Sequence, residues 1–420
     1  MRVLILGKGG REHALAWKFS KSHRICGLFT APGNAGTAEI GENIPALPIN
    51  DPEAVVKECR EKKIDLVFVG PEDPLSFGVV DALTASGIAV LGPNKRSAAL
   101  ESSKAFSKQF MQKHRIPTAR AKVFTQLKDF SNYINKYSGK MVIKKNGLAA
   151  GKGVLESDNK EELLKFGEGI LKSDSLLVEE YLEGYEITIL ALTDGKSYIL
   201  LPPCADLKKA KEGDRGANSG GMGAICPVPG VDKELLNIIE RSIVKPTFDG
   251  IAREKLQYKG VLYFGLMITQ QGPRLLEYNV RFGDPEAQVV LPVIKTDFAD
   301  LCHAMINGKL NEITVEFNSD YYLGIVVASQ GYPGVFETGK VVAPISALKE
   351  KEVLIFHSST THNSSGDVVT GGGRCFTVVG IGETLLAANK SAYEAAPLIK
   401  FKGSFYRKDI GLKFFPEIED

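Results

Sequence analysis

The chain has little cysteine or histidine, and what it has is scattered. Its 420 residues include six cysteines and six histidines, with no Cys-x-x-Cys pair and no His-x-x-x-His pair. Zinc ribbons and disulfide frameworks need closer spacing than this. We therefore expect free, mostly buried thiols in a reducing compartment and no zinc site built from these residues.

The sequence also lacks a long apolar run and an excess of either charge. No uninterrupted apolar stretch reaches about 18 residues, so we expect no segment to span a bilayer. Residues 1–7 are too short and too soon followed by glycine for a signal peptide, and they predict a β-strand. The 52 Lys+Arg and 50 Asp+Glu leave a net charge of +2, which gives no reason to expect a nucleic acid or a membrane as partner. The expected setting is the cytoplasm.

What is present is the composition of a globular protein, with 44% apolar and 24% charged residues. In the first hundred residues, short apolar strands alternate with amphipathic helices, which predicts a doubly wound parallel sheet. Asp51 followed by Pro52 predicts a helix start. The fold class is therefore α/β, and the predicted units cover residues 1–118, 119–189, 190–318 and 319–420.

The first candidate motif is Gly-Lys-Gly-Gly-Arg-Glu-His at residues 7–13. A strand that runs through glycines into a helix presents backbone N–H groups and a positive helix end, which suits a phosphate. A dinucleotide fingerprint would need glycine where Glu12 stands and an acid after the second strand, so NAD binding is the weakest interpretation. The alternative is a tight strand–helix turn with no ligand.

The second motif is a strand at 141–144 followed by the glycine-rich residues 147–153. Backbone amides of such a loop can close over a polyphosphate, with Lys144 and Lys152 meeting its charge from two sides. It is not a Walker A loop, because Gly147 and Gly151 are too close and Gly153 follows the lysine. The alternative is an ordinary glycine turn with exposed lysines.

The third motif is the acidic strand within residues 176–186. Strand alternation sends Glu179 and Tyr181 to one face, where a carboxylate could accept from an amino group beside an aromatic wall. Such a strand could also hold a purine edge through its backbone. The alternative is an edge strand with solvated acids.

The fourth motif lies within residues 276–286. Alternation predicts Glu277, Asn279 and Arg281 on one face of a strand, with the intervening apolar residues on the other. A carboxylate beside an amide oxygen suits a hard cation such as Mg²⁺, which would also take nucleotide phosphates and water. Arg281 would then offer a fork of donors beside the metal. The alternative is a salt-bridged surface strand.

Two further glycine-rich segments lie at residues 213–224 and 371–374. The first predicts either a lid or a loop that approaches a ligand through its backbone, with a disordered surface loop as the alternative. The second ends in Arg374 and could hold an anion, although a plain turn explains it equally well.

Together these motifs resemble the ATP-grasp superfamily and, within it, the glycinamide ribonucleotide synthetase family. Each motif is short, but the ordered set is specific and covers nearly the whole chain. The set comprises Gly-x-Gly-Gly-Arg-Glu-His at 7–13, Ala-Pro-Gly-Asn-Ala-Gly at 31–36, Val-Gly-Pro-Glu-x-Pro-Leu at 69–75, Gly-Leu-Ala-Ala-Gly-Lys-Gly at 147–153, Gly-Gly-Met-Gly-Ala at 220–224, Arg-Phe-Gly-Asp-Pro-Glu at 281–286 and Arg-Lys-Asp-Ile-Gly at 407–411.

The resemblance implies an N-terminal doubly wound domain, a two-part ATP-grasp core and a small C-terminal α/β domain. It implies ATP-dependent ligation of glycine to 5-phosphoribosylamine through a glycyl phosphate, in purine biosynthesis. The expected cofactor is Mg²⁺ or Mn²⁺. The expected partners are small molecules, with no nucleic acid and no membrane, and the protein is expected to be a monomer. The alternatives are another ATP-grasp carboxylate–amine ligase and a non-catalytic nucleotide sensor.

The resemblance also implies roles for individual residues. The implied ATP contacts are Lys104, Lys144, Gly147, Gly151, Lys152, Gly153, Glu179, Tyr181, Leu182 and Glu186. The implied substrate contacts are Gly9, Gly10, Arg11, Glu12, Pro71, Glu72, Asp206, Asn218, Gly220, Gly221, Met222, Arg281, Asp284 and Arg374. The implied metal ligands are Glu277 and Asn279, and the implied catalytic residues are Lys152, Arg281 and Asp284. The chain departs from the family pattern at Lys145, Asn146, Leu207, Ala217 and Ser219.

Overall fold

The structure is a computed structural model that describes residues 1–149, 153–345 and 351–415. The implied contacts of Gly151 and Lys152 therefore lie outside the described residues. Among the helices of the described ranges, none has the length and apolar character needed to cross a membrane.

The N-terminal unit is a parallel sheet covered by helices. Its strands are β1 (Arg2–Gly7), β2 (Gly27–Pro32), β3 (Glu42–Asn43), β4 (Leu66–Val69) and β5 (Ala89–Leu91). Its helices are α1 (Gly10–Ser20), α2 (Pro52–Glu61), α3 (Glu72–Phe77), α4 (Val79–Ala85), α5 (Lys95–Ser102) and α6 (Lys104–Lys113). The strand order is β3-β2-β1-β4-β5 and every pair is parallel. This confirms the doubly wound sheet.

Local signals in this unit act as the sequence predicts, with one exception. Asp51 caps α2 by accepting from the backbone N–H groups of Glu53 and Ala54, with Pro52 as the first helical residue. The helical run over 102–114 is broken at Ser103, which accepts from the N–H of Phe106 and so caps a new helix. A serine inside an amphipathic run can thus end one helix and begin the next.

The second unit is a small antiparallel sheet with two helices. It contains β6 (Ala121–Phe124), α7 (Leu127–Lys136), β7 (Met141–Lys145), β8 (Val154–Ser157), α8 (Lys160–Leu171) and β9 (Leu176–Glu180). The strand order is β6-β9-β7-β8. Because β9 lies between two other strands, the edge-strand interpretation of its acidic sequence does not hold.

The third unit is a larger antiparallel sheet in the order β11-β10-β16-β17. Its strands are β10 (Tyr185–Thr193), β11 (Tyr198–Leu200), β16 (Gly260–Thr269) and β17 (Gly272–Asn279), with β12 (Ala205–Asp206), β13 (Lys209–Lys211), β14 (Arg215–Asn218) and β15 (Gly223–Cys226) inserted between β11 and β16. Helices α9 (Lys233–Ile239) and α10 (Lys245–Arg253) are joined by a π-helical turn, and α11 (Glu286–Val293) and α12 (Phe298–Asn307) follow the sheet.

The C-terminal unit contains β18 (Tyr321–Ser329), β19 (Val353–His357), β20 (Thr360–His362), β21 (Val368–Thr370), β22 (Arg374–Gly382), α13 (Leu385–Ala395) and β23 (Ser404–Phe405). Its sheet has the order β12-β15-β18-β22-β19, with β23 paired to β18. Two strands from residues 190–318 thus belong to the sheet of residues 319–420. The four unit boundaries stay predictions, but the last two units share this sheet.

One apolar core cluster joins the N-terminal and C-terminal units through α11. It includes Val3 of β1, Val289 of α11 and Phe356 of β19, each at most 1% exposed. Helix α11 contacts α1 on one side and β15 and β18 on the other. The loops that end β1, β17 and β19 are therefore held together by packed apolar side chains.

Candidate active site

The loop between β1 and α1 is shaped by Glu12. Its carboxylate accepts from the backbone N–H of Gly9 at 2.5 Å and from Nε of Arg11 at 2.5 Å, and the residue is 1% exposed. A Cβ atom at Gly70 would lie 2.1 Å from Oε1 of Glu12, and one at Gly7 would lie 2.5 Å from its Cδ. Glu12, which stands where a dinucleotide fingerprint would have its third glycine, thus fills space that Gly7 and Gly70 leave open by having no side chain. Both of its oxygens are used inside the protein, so Glu12 shapes the loop.

Arg11 connects this loop to the segment that follows β17. Its Nη1 donates to the carbonyl of Phe282 at 3.0 Å, and its backbone N–H donates to Oδ2 of Asp284 at 3.3 Å. Two motifs that lie more than 270 residues apart in the chain are therefore in direct contact. The structure brings together Gly9, Gly10, Arg11 and Asp284, as the resemblance implied.

Arg281 holds two carboxylates from the N-terminal unit. Its Nη2 lies 2.8 Å from Oε1 of Glu101 and its Nε donates to Oε2 of Glu72 at 3.2 Å. The other oxygen of Glu101 accepts from the N–H of Val280 at 2.7 Å. Burial raises the pKa of Glu101, although the charge of Arg281 opposes this. Glu72, the first residue of α3, follows Pro71 at the N-cap position of that helix.

The predicted strand position of Arg281 requires correction. Strand β17 ends at Asn279, and a register shift between Leu275 and Glu277 leaves Leu276 partly buried. Arg281 therefore lies beyond the strand, although buried and partly exposed residues still alternate from Glu277 to Arg281, as the predicted shared face requires. Its ion pairs match the salt-bridge alternative, but in a largely buried setting with 16% of the side chain exposed.

Glu277 and Asn279 are both partly exposed at the end of β17. The neighbouring cation is Lys208, whose Nζ lies 4.0 Å from Oε1 of Glu277 and 3.0 Å from Oε2 of Glu186. The positive charge of Lys208 is the main reason that the pKa of Glu186 is lowered. In the described ranges, no three His, Cys, Asp or Glu side chains are grouped as a metal site. The pair thus offers one carboxylate and one amide oxygen and leaves the other positions to a ligand.

Glu179 forms ion pairs with two lysines. Its oxygens lie 3.0 Å from Nζ of Lys108 and 2.8 Å from Nζ of Lys144, and the three side chains are at most 10% exposed. Lys108 also donates to Oγ1 of Thr118 at 2.7 Å. Burial opposes the charged form of Glu179, but the two lysines outweigh it and lower its pKa. Each oxygen holds one lysine, and the use of this carboxylate as an acceptor for a ligand amino group stays a prediction.

The glycine-rich loop starts from a fixed base. Oδ1 of Asn146 accepts from the N–H of Ala105 at 2.9 Å and from the hydroxyl of Ser103 at 3.2 Å, at the start of α6. The N–H of Gly147 donates to Asp174 at 3.0 Å, and Nζ of Lys104 donates to the carbonyl of Gly147 at 3.3 Å. The departure at Asn146 is therefore accommodated, because its side-chain oxygen caps a helix.

The segment after β9 links the small and large sheets. Tyr181 and Leu182 lie in it, between β9 and β10. Nζ of Lys140 lies 3.6 Å from the centroid of the Tyr181 ring, so a cation covers one face of this aromatic side chain. Tyr181 and Leu182 therefore lie at the junction of the two sheets, between the strands that carry Glu179 and Glu186.

Arg374 connects the two segments that contain Gly220 and Asp284, both implied substrate contacts. Its Nη1 donates to the carbonyl of Gly220 at 2.5 Å and to the carbonyl of Asp284 at 2.6 Å. The Asp284 side chain accepts from Nε2 of Gln288 at 2.9 Å and lies 3.3 Å from Nη1 of Arg374. Burial opposes ionisation of Asp284, but Arg374 and Arg11 lower its pKa. The segment ending in Arg374 is thus a connection between loops rather than a plain turn.

Residues 213–224 belong to a hairpin and a following strand that are anchored by other parts of the protein, and they are not a free loop. Strands β13 and β14 pair, and the hairpin tip is held by the C-terminal segment, with Arg407 donating to Asp214 at 3.0 Å. The N–H of Gly220 donates to the hydroxyl of Tyr332 at 2.8 Å. A Cβ atom at Gly221 would lie 2.4 Å from Cδ of Pro285. These contacts do not support the lid interpretation.

The other implied substrate contacts near this hairpin differ in how far they are buried. Asp206 is in β12, and its Oδ2 would lie 3.5 Å from a Cβ atom at Gly221. Asn218 ends β14 and is partly exposed. Met222 is 0% exposed, so its side chain belongs to the core, and a substrate contact at this position would have to come from its backbone. Leu207, one of the departures from the family pattern, is 1% exposed and is also part of the core.

Sequence reasoning missed Glu101, Lys108 and Tyr332. Each partners a residue that the motifs did identify, namely Arg281, Glu179 and Gly220. Glu101 and Lys108 lie in no glycine-rich or paired-acid pattern, and α5 and α6 show no local sign of these contacts. Tyr332 lies between Gly331 and Gly334, in a segment that carries none of the candidate motifs. A buried charge such as Lys108 could be suspected only once its acidic partner was known to be internal.

Comparison with known proteins gives consistent matches over nearly the whole chain. Models described as the N domain, the ATP-grasp (A) domain and the C domain of phosphoribosylglycinamide synthetase match residues 1–101, 102–287 and 322–413. The phosphoribosylamine–glycine ligase of Rhodopirellula baltica is 43% identical over 98% of this chain and 97% of that protein. A crystal structure of phosphoribosylamine–glycine ligase from Thermotoga maritima superposes with a TM-score of 0.85 and 35% identity, covering 98% of this chain and 100% of that one.

A longer relative shows the same similarity over part of its length. The trifunctional purine biosynthetic protein adenosine-3 of Gallus gallus is 45% identical over 98% of this chain. The chain spans 42% of the length of that protein.

Proposed function

Because the chain belongs to the phosphoribosylglycinamide synthetase family, we propose that it ligates glycine to 5-phosphoribosylamine in purine biosynthesis, with ATP as co-substrate. The products would be glycinamide ribonucleotide, ADP and phosphate. The observation that carries this proposal is the match to all three family domains, together with the contacts that join their motifs around one site.

The reaction needs an activated carboxylate, because a free carboxylate would have to expel oxide. In the first step, a carboxylate oxygen of glycine forms a bond to the γ-phosphorus of ATP and the bond to ADP breaks, which gives glycyl phosphate. In the second step, the 1-amino nitrogen of phosphoribosylamine attacks the carbonyl carbon. The bond to phosphate breaks, the nitrogen loses a proton, and an amide results.

The nucleotide would bind between the small and large sheets. Lys108, Glu179 and Lys144 form a buried group with a net single positive charge, which suits a polyphosphate. Lys104 lies at the base of the loop at 147–153, which would cover the phosphates. Tyr181 and Leu182 would frame the adenine and Glu186 would face the ribose. The carboxylate of Glu179 or the backbone of the same strand would accept from the adenine amino group.

The donor set at the end of β17 fits a hard divalent cation. Glu277 and Asn279 supply one carboxylate and one amide oxygen with no soft ligand, and ATP phosphates would complete the coordination of Mg²⁺ or Mn²⁺. When bound, the cation would neutralise charge on the transferring phosphoryl group. Lys208 lies close to both Glu186 and Glu277 and would offset one of their two negative charges.

The two substrates would bind where the N-terminal and C-terminal units meet. Gly9, Gly10 and Arg11 form one side, and Gly220, Gly221 and Arg374 form the other. Arg281 and Asp284 lie between them and keep 16% and 13% of their side chains exposed, so each can still face the reacting atoms. We include both, with Lys152, as the proposed catalytic residues.

Phosphate release tests this proposal. The assay uses ATP, Mg²⁺, glycine and freshly made phosphoribosylamine, with each omitted in turn and with alanine or serine replacing glycine. We expect release only with the complete mixture and at least tenfold less with the other amino acids. Equal release with another carboxylate would indicate a different ATP-grasp ligase. Nucleotide binding with no release under any mixture would indicate a non-catalytic sensor.

A further inference from the structure

Asn34 is a buried polar residue whose side chain touches two distant segments. It lies in the Ala-Pro-Gly-Asn-Ala-Gly motif and is 5% exposed. Its Nδ2 donates to the carbonyls of Lys8 at 2.9 Å and Gly9 at 3.3 Å, in the loop between β1 and α1. The same nitrogen donates to the carbonyls of His357 at 3.0 Å and Ser358 at 3.2 Å, at the end of β19.

The amide oxygen of Asn34 fixes the side chain in this position. It accepts from the N–H groups of Gly36 at 2.9 Å and Thr37 at 3.0 Å. All hydrogen-bonding groups of the amide are therefore used. The NH₂ end of the amide must face the four carbonyls, and the oxygen must face the two N–H groups.

These contacts set the direction of the loop N–H groups. In a trans peptide, the carbonyl and the N–H of the next residue point in opposite directions. Because the carbonyls of Lys8 and Gly9 face Asn34, the N–H groups of Gly9 and Gly10 face away from it. The N–H of Gly9 donates to Glu12. Gly10 is the first residue of α1, where a helix leaves its N–H without an internal acceptor.

A second contact joins the same segments. The N–H of His357 donates to Nδ1 of His13 on α1 at 2.8 Å. A Cβ atom at Gly36 would lie 2.2 Å from Cε1 of His13, so glycine at this position leaves room for the imidazole. The start of α1 is thus held against β19 by His13 and by Asn34 together.

We propose that Asn34 is a positioning residue for the sugar-phosphate site, which rests on the proposed function. It orients the peptide groups of residues 8–10 so that the N–H of Gly10 faces the phosphate of phosphoribosylamine. It takes its own position from the end of β19, so the C-terminal unit sets the geometry of a binding loop in the N-terminal unit. Asn34 itself does not contact the substrate.

The test is steady-state kinetics of Asn34→Asp on the full chain. Aspartate keeps an oxygen for Gly36 and Thr37 but places a second oxygen against four carbonyls, which repel it. We expect the KM for phosphoribosylamine to rise at least tenfold, while kcat and the KM for ATP stay within threefold. Asn50→Asp, at an exposed position of the same unit, makes the same charge change and should leave all constants unchanged. The affinity of Asn34→Asp for ribose 5-phosphate, measured by calorimetry, should fall by a factor similar to the rise in KM.

His13 provides a second pair of variants in case Asn34→Asp does not fold. Asparagine at position 13 keeps an acceptor for the N–H of His357, whereas phenylalanine does not. We expect His13→Phe to raise the KM for phosphoribosylamine at least fivefold. The KM of His13→Asn should stay close to that of the wild type. Equal KM values for these two variants would overturn the proposal.

Three results of the Asn34 experiment would count against the proposal. An unchanged KM for phosphoribosylamine, with or without a lower melting temperature, would make Asn34 a structural residue only. A parallel rise in the KM values for ATP and glycine would show a general disturbance instead of a local one. If neither the wild type nor Asn50→Asp uses phosphoribosylamine, the proposed function fails and this proposal fails with it.

Discussion

Acid should destabilise this protein through two buried histidines, His13 and His357. Burial lowers the pKa of His13 to about 3, and the neighbouring His357 adds to this effect. Burial lowers the pKa of His357 to about 4, and His362 contributes in the same direction. Both rings are neutral in the folded state, and Nδ1 of His13 must be unprotonated to accept from the N–H of His357.

The sign of the pH effect follows from the two states. In the unfolded chain both histidines titrate near about 6.5, so the unfolded state binds more protons at any pH between the folded and unfolded pKa values. Their contribution to stability is therefore complete above about pH 6.5 and falls as the pH drops toward about 4 and 3. At about 1.4 kcal/mol per pH unit for each group, lowering the pH from 7 to 5 costs about 2 kcal/mol per histidine and about 4 kcal/mol for the pair.

His13→Asn isolates one of the two groups. Asparagine does not titrate and keeps an acceptor for the N–H of His357. The free energy of unfolding would be measured in urea at pH 7 and pH 5 for the wild type, for His13→Asn and for His303→Asn, which changes an exposed histidine. The loss between the two pH values should be smaller by about 2 kcal/mol in His13→Asn and unchanged in His303→Asn. An equal loss in all three proteins would refute the assignment of the pH effect to His13.

Three further substitutions test individual contacts. Lys108→Met leaves the buried Glu179 with one partner, so we expect the KM for ATP to rise at least tenfold by kinetics, with a smaller effect for Lys108→Arg. Glu277→Gln removes the only charge of the proposed metal pair, so manganese affinity by calorimetry should fall at least tenfold with little change in melting temperature. Gly70→Ala places a Cβ atom against Glu12, so we expect a loss of about 1–3 kcal/mol of stability by urea unfolding.

Each of these expectations has a result that contradicts it. An unchanged KM for ATP in Lys108→Met would mean that Lys144 alone holds Glu179. Unchanged manganese affinity in Glu277→Gln would remove Glu277 from the metal site. Wild-type stability of Gly70→Ala would show that the Glu12 carboxylate can occupy another position at no cost.

The sequence was sufficient for features that depend on neighbours in the chain. The parallel sheet of the N-terminal unit and the cap at Asp51 follow from alternation and local chemistry, and both are confirmed. The contact between the loop of Arg11 and the segment of Asp284 was reached only through the family resemblance. It depends on how α11 packs against α1, which no local pattern encodes.

The environment of Arg281 shows what the sequence could not supply. Strand alternation predicted the side on which Arg281 lies, but it could not show that β17 ends before this residue or what the guanidinium contacts. Its two acidic partners come from helices α3 and α5 of another unit, and the Glu72 contact spans 209 positions of the chain. Glu179 gives the same lesson, because its second partner Lys108 lies on a helix outside its own sheet. Ion pairs between distant elements need the tertiary fold.

Isotope transfer from glycine tests the central claim, ligation through glycyl phosphate, most directly. Glycine labelled with ¹⁸O in both carboxylate oxygens would be incubated with the protein, ATP, Mg²⁺ and phosphoribosylamine, and the released phosphate would be analysed by mass spectrometry. Because one carboxylate oxygen forms the bond to phosphorus and leaves with it, we predict one ¹⁸O atom in each phosphate and one in the amide product. Unlabelled phosphate would contradict the account, because the carboxylate would then not have been phosphorylated.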